Sequence, residues 1–141
     1  MTRSNDSLTF WKTQSMRTIK PAELAKHYVT LSNNHDLTLI KALFAVDATY
    51  YSAYFGEYKG SDAILAMMIS FFGRFPDAHW DVTEYRDIDH EGAEFAFIMT
   101  GTDASSSERV KRRGLERIYF TAQGLIKQIA VYKPDDFPGA D

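Results

Sequence analysis

The sequence predicts an α+β fold, with three N-terminal helices packed on a curved antiparallel sheet. Three observations predict it. Apolar residues recur at helical spacing through the first half of the chain. After Asp77 the period changes to alternation, and the turns between the later apolar runs are short enough for consecutive strands to pair as hairpins. Helices first and hairpins afterwards place the helices together on one side of an antiparallel sheet. At 141 residues the chain has the size of one ordinary domain.

Pro21 fits the first turn of a helix, where its missing N–H is not needed, and Leu24, Tyr28 and Leu31 follow at i, i+4, i+7. Asn33, Asn34 and His35 break that stripe. Asp36 is placed to cap a second helix by accepting a backbone N–H bond, with Leu39, Ile40, Leu43 and Phe44 as its buried face. So short a connection makes the two helices a hairpin. Thr49 to Phe55 is β-branched and aromatic, a first strand by propensity. Gly56 and Gly60 punctuate the turn after it. Ser61 is placed to cap a third helix with Ile64, Leu65, Met68, Phe71 and Phe72 on its apolar side, ended by Arg74 to Asp77 with Pro76. Strands are expected near 79–88, 94–103, 112–121 and 125–133, with turns at Gly92, Asp103 to Glu108 and Ala122-Gln123-Gly124. Twist curls such a sheet around the helices into a cone, closed by packing at one end and open as a pocket at the other. Residues 1–20, polar and rich in Ser, Thr and Asn, are expected to form a flexible arm, 21–134 the domain and 135–141 a tail.

The composition narrows the function. A net charge of −3 supplies no positive field for nucleic acid, and the basic run Arg109, Lys111, Arg112, Arg113 reads as the solvated start of a strand. There is no cysteine, so disulfides and thiolate sites are excluded. His27, His35, His79 and His90 show no metal-ligand spacing, and neither a glycine-rich phosphate loop nor a nucleophile-elbow serine is present. No metal or cofactor is expected. No run approaches the ~18 apolar residues of a membrane span, and the N-terminus lacks the apolar stretch of a secretory signal; the expected location is the cytoplasm, with no membrane partner. Phe and Tyr raise the aromatic share to 14%, and such rings either fill a core or line a pocket for a small hydrophobic molecule.

Several strings carry a family resemblance. Leu43-Phe44-Ala45-Val46-Asp47-Ala48-Thr49 resembles the junction from second helix to first strand in the nuclear transport factor 2 superfamily, in its SnoaL-like and ketosteroid isomerase-like branch. Tyr58-Lys59-Gly60-Ser61-Asp62-Ala63-Ile64 resembles the approach to that family's third helix. Phe75-Pro76-Asp77, Thr100-Gly101-Thr102 and Phe120 with Gly124-Leu125-Ile126 resemble matching places in SnoaL-like members. The resemblance runs over roughly residues 21–133 and implies the cone-shaped, cystatin-like fold of that superfamily. It also implies a homodimer through the outer face of the sheet, which Trp80, Tyr85, Tyr119 and Tyr132 would suit.

The same resemblance places Tyr28 where ketosteroid isomerase has its oxyanion-hole tyrosine. Glu116, four residues before Phe120, falls where that enzyme has a protonated aspartate and SnoaL-like cyclases a catalytic one. The isomerase's general base falls on Ser52, which cannot abstract a C–H proton unaided, so steroid isomerisation is not expected. Alternation in the strand puts Glu116, Ile118 and Phe120 on one face and Leu115, Arg117 and Tyr119 on the other, the first set being the more apolar. Glu116 therefore faces inward or, alternatively, pairs with Arg113 or Arg117 at the surface. Asp103 follows Thr100-Gly101-Thr102, where SnoaL-like proteins often carry histidine; alternation from Ile98 and Thr100 turns it away from the pocket, as a turn-capping aspartate. Two functions compete. One is acid–base chemistry (isomerisation, dehydration or cyclisation) on a hydrophobic carbonyl compound, with Tyr28 and Glu116 catalytic and Phe44, Ser52, Met68, Phe72 and Ile98 lining the pocket. The other is a non-enzymatic small-molecule-binding or dimeric assembly domain.

Overall fold

The computed structural model describes residues 19–136. The arm expected over 1–20 and the tail expected over 135–141 lie outside these residues, apart from Ile19, Lys20, Asp135 and Asp136. Helix α1 spans Pro21–Asn33, with Pro21 in its first turn. It ends as His35 takes the left-handed conformation, φ 55°, and Asp36 N–H donates back to Leu31 O at 3.1 Å. Helix α2, Leu37–Leu43, is capped by Asp36, whose Oδ1 accepts from Leu39 N at 3.1 Å. It stops one residue before Phe44, which is already extended and opens strand β1, Phe44–Ser52. Of the expected face of α2, Ile40 is fully buried and Leu39 is half exposed.

Gly56–Lys59 forms a strand of its own, β2, hairpin-paired to β1. Helix α3, Ser61–Arg74, starts from Gly60 at φ 90°, a conformation that favours glycine, with no side-chain cap from Ser61. The region expected as one strand over 79–88 divides into β3, His79–Asp81, and β4, Arg86–Asp87, both laid on β5. The long strands are β5, Gly92–Thr102, β6, Arg109–Phe120, and β7, Ile126–Tyr132.

The sheet is seven-stranded in the order β2-β1-β7-β6-β5-β3, with β4 on β5. Every junction is antiparallel except that of β1 with β7, where the first strand returns parallel to the last. Three helices lie against one face. The core between them includes Ile40 and Ile64 from the helices, Phe95, Ile118 and Ile129 from the sheet, and Phe75 at the end of α3, none more than 1% exposed. Each such side chain contributes roughly 1.5–3 kcal/mol by leaving water.

Polar contacts fix α1 across the β3–β4 side. The Asn33 amide donates to Trp80 O at 3.0 Å and accepts from Trp80 N at 2.8 Å. The His35 ring meets Ala78 O at 2.7 Å, and Ala22 N donates to Asp87 Oδ1 at 2.8 Å. Among the described residues no helix is long and apolar enough to cross a membrane.

Candidate functional site

Strand β6 decides which groups reach the interior. Its pairing sets Glu116 opposite Phe95 on β5 and Val131 on β7, so Arg112, Gly114, Glu116, Ile118 and Phe120 share the helix-facing side. Arg113 and Arg117 take the other side, where Arg117 Nε binds Glu94 Oε1 at 2.9 Å and Arg86 binds the same carboxylate. Both arginines therefore point away from Glu116.

Glu116 is 5% exposed, and its Oε2 is buried without a hydrogen-bond partner among the described residues. Burial pushes its carboxyl up to about 8, so the side chain is neutral at pH 7 and can donate a hydrogen bond. Tyr28 from α1 and Tyr50 from β1 stand close enough for Glu116 to act on them electrostatically. Burial first, then the charges of Tyr50 and Glu116 on Tyr28 and of Glu116 and Tyr58 on Tyr50, holds both phenols protonated well above the usual tyrosine range.

These three groups open on a cavity of about 70 Å³, on a scale where one water takes roughly 10–15 Å³. Phe71 and Phe72 of α3 and Trp80 of β3 form its aromatic wall, with ring centroids 5.5–6.0 Å apart. Met68, Phe97 and Met99 close the apolar side. A methyl group at Gly114 would overlap the Phe97 ring, so a glycine here lets that ring lie across β6.

Of the pocket residues expected from the sequence, Ser52, Met68 and Phe72 line this cavity; Phe44 and Ile98 do not. Phe44 stands behind Tyr28, edge-on with centroids 6.1 Å apart, and supports that ring instead of facing the space. Ile98 pairs opposite Arg113 on the outer face of β5, since Phe97 and Met99 are the inward residues. Ser52 ends β1 and its Oγ accepts from Tyr54 N at 3.0 Å and Phe55 N at 3.2 Å, so the hydroxyl shapes the turn that brings both rings to the cavity.

Asp103 caps its turn as expected: Oδ1 accepts from Ser105 N at 2.9 Å and Ser105 Oγ at 2.6 Å. It does not line the cavity, yet it is buried, and its Oδ2 takes two bonds from Arg74, at 2.9 and 3.0 Å. The Ser105 hydroxyl, then Arg74, hold its carboxyl well below the usual range. Among the described residues no carboxylate ionised at pH 7 lines the cavity. Among the described residues no group of three or more His, Asp or Glu side chains is arranged to hold a metal.

Ser32, Tyr50, Tyr54 and Arg112 also line the cavity and are absent from the sequence-based set. Tyr50 lies two residues before Ser52 on the same strand face, and Arg112 four before Glu116; alternation alone carries both. Arg112 is half-buried, with its guanidinium 5.3 Å from the ring centroids of Tyr54, Phe55 and Phe75. This departs from the solvated position expected of the basic run.

Solved structures share the architecture. An uncharacterized cystatin-fold protein from Novosphingobium aromaticivorans superposes with a TM-score of 0.71 at 16% identity, covering 82% of this chain and 99% of its own. The epoxide hydrolase/cyclase-like enzyme SalBIII, involved in pyran ring formation in the polyether salinomycin, gives 0.71 at 18% identity, covering 79% and 88%. A protein with a ketosteroid isomerase-like fold from Catenulispora acidiphila, solved with trimethylamine, gives 0.70 at 14% identity, covering 81% and 86%. A search of the curated proteins finds no match. At these identities the structures speak for the fold, whereas the sequence itself matches the SnoaL-like domain over residues 25–129. The chain therefore belongs to the SnoaL-like domain family, on the fold shared by nuclear transport factor 2 and ketosteroid isomerase.

Proposed function

We propose that this protein binds a small apolar carbonyl compound in the cavity and performs acid–base chemistry on it without a cofactor, as an isomerase, dehydratase or cyclase. The observation that carries the reading is Glu116: a buried carboxyl, neutral at pH 7, with an oxygen left unpartnered beside two protonated phenols. A group whose pKa lies near the working pH serves best as a general acid and base. In its neutral form Glu116 donates to the substrate oxygen, and Tyr28 and Tyr50 are the further donors to charge developing there. In its ionised form the same carboxylate takes up a proton, a role Ser52 cannot fill.

The test is proton exchange at the α-carbon of an apolar ketone, 2-tetralone, followed by NMR in deuterated buffer. The protein is expected to accelerate exchange, and Glu116→Gln, which keeps shape and a donor, is expected to bind the ketone yet lose at least a hundredfold in exchange rate. Unchanged exchange in that variant would remove Glu116 from the chemistry. Binding without any exchange by the native protein favours the second reading, a binding domain, which the Ser52 hydroxyl's commitment to its turn supports.

We also propose a homodimer through the outer face of the sheet. Trp80 and Tyr85 do not argue for it, since Trp80 lines the cavity and Tyr85 packs on Phe95 at 5.0 Å. Tyr51, 40% exposed, and its neighbour Tyr132 on the outer side of β1 and β7 support it. Sedimentation velocity at micromolar concentration is expected to give twice the chain mass, and a monomer there would refute it.

A further inference from the structure

Among the described residues, Arg112 is a cation without an anion. Its Nη1 is buried and makes no hydrogen bond, although it lines the same cavity as Glu116. The carboxylate that acts on it, Asp103, is fully engaged, Oδ1 by Ser105 and Oδ2 by Arg74. The Glu116 carboxyl is neutral and therefore supplies no counter-charge. What Arg112 has instead is a cage of three rings, Tyr54, Phe55 and Phe75, each 5.3 Å from the guanidinium carbon. Tyr54 is itself held there, its hydroxyl donating to Arg113 O at 2.7 Å. Such rings hold and orient a cation, but they satisfy none of its N–H donors. Burying a donor unpaired is costly, and a charge-assisted bond to an anion removes that cost.

We propose that Arg112 is the anion-binding residue of the cavity, and that the ligand is an apolar carbonyl compound that also carries a carboxylate. The inference rests on the carbonyl-binding reading and names its substrate class. A single uncommitted guanidinium matches one negative charge, and its planar fork suits a carboxylate. Arg112 and Glu116 are four residues apart on one face of β6, so their Cα atoms are separated by roughly 13 Å at 3.3–3.4 Å per residue. The ligand then lies along β6, its acid group at Arg112, its carbonyl oxygen toward Glu116, and its apolar body against Phe97 and the Phe71–Trp80 wall.

The experiment compares 4-acetylbenzoate with its uncharged counterpart 4-acetylbenzamide, by calorimetry at pH 7, on the native protein and on Arg112→Gln. The carboxylate is expected to bind the native protein at least tenfold more tightly, and the preference to fall to about onefold in the variant. In protein labelled at arginine side chains, the Nε–H resonance of Arg112 is expected to move with the benzoate and not with the amide. That readout stands even if the variant fails to fold. Equal affinity of the two probes for the native protein overturns the inference and leaves the carbonyl-binding reading in place. A preference that survives in Arg112→Gln, or an Arg112 resonance unmoved by the benzoate, overturns it as well. Failure of both probes to bind overturns the inference together with the reading beneath it.

Discussion

Raising the pH from 5 to 8 is expected to cost the native protein stability continuously, and Glu116→Gln is expected to escape that loss. The sign follows from proton binding. The Glu116 carboxyl titrates near 8 in the folded chain and near its ordinary value of about 4.3 once unfolded. Between those limits the folded state holds the proton that the unfolded state has released. Stability is therefore complete below about pH 4 and falls at up to roughly 1.4 kcal/mol per pH unit until the folded carboxyl ionises near 8. Over the whole window the loss is on the order of several kcal/mol, a large part of a small domain's stability. Glutamine carries no proton to lose, so the variant's urea-unfolding midpoint is expected to stay level and to exceed the native one at pH 9. Parallel curves for the two proteins would mean that Glu116 is charged in the folded state.

The second large effect is expected at Phe75, where α3 ends. Its ring is fully buried, meets Phe71 at 5.2 Å and packs against Gly101 on β5. Its backbone closes the helix, N–H to Phe71 O at 2.8 Å, and starts the turn to β3 by accepting from Ala78 N at 3.1 Å. Phe75→Ala is expected to cost about 3–5 kcal/mol, because a core enclosed on several sides collapses poorly into the space left. Phe75→Leu, which keeps most of the apolar volume, is expected to cost less. Urea unfolding at pH 6 measures both, and a loss below about 1 kcal/mol in the alanine variant would show that the surrounding rings repack freely.

What was legible in the sequence depended on whether the two faces of a strand differ in polarity. On β6 they do: Arg113 and Arg117 alternate with Glu116, Ile118 and Phe120, and the inward side follows from that contrast. Arg112 obeys the same alternation, but Arg109, Lys111 and Arg113 surround it, and a dense run of like charge hides which member turns in. On β5 the outer side carries Ile98, partly buried, so apolar residues occupy both parities and Ile98 reads as well as Phe97. Phe44 continues the helical spacing of Ile40 with no glycine or proline between, and only its pairing with Ile126 on the returning strand makes it β structure. Such a partner, far along the chain, leaves no local mark. Strand β2 is four residues long, too short for any period to register.

The Asn33 amide and the His35 ring have a consequence for the life of this protein at high concentration. A border strand offers an unpaired row of N–H and C=O groups on which a foreign strand can template, the first step toward fibrils. On β3 the outward N–H and C=O of Trp80 are both occupied by Asn33, and the carbonyl of Ala78 just before it by His35. A helix terminus thus imitates one more strand with side chains alone, and the imitation has no outer row of its own to extend. Along β3 a foreign strand therefore finds no open row, whereas β2 and the two-residue β4 remain border strands of the described sheet.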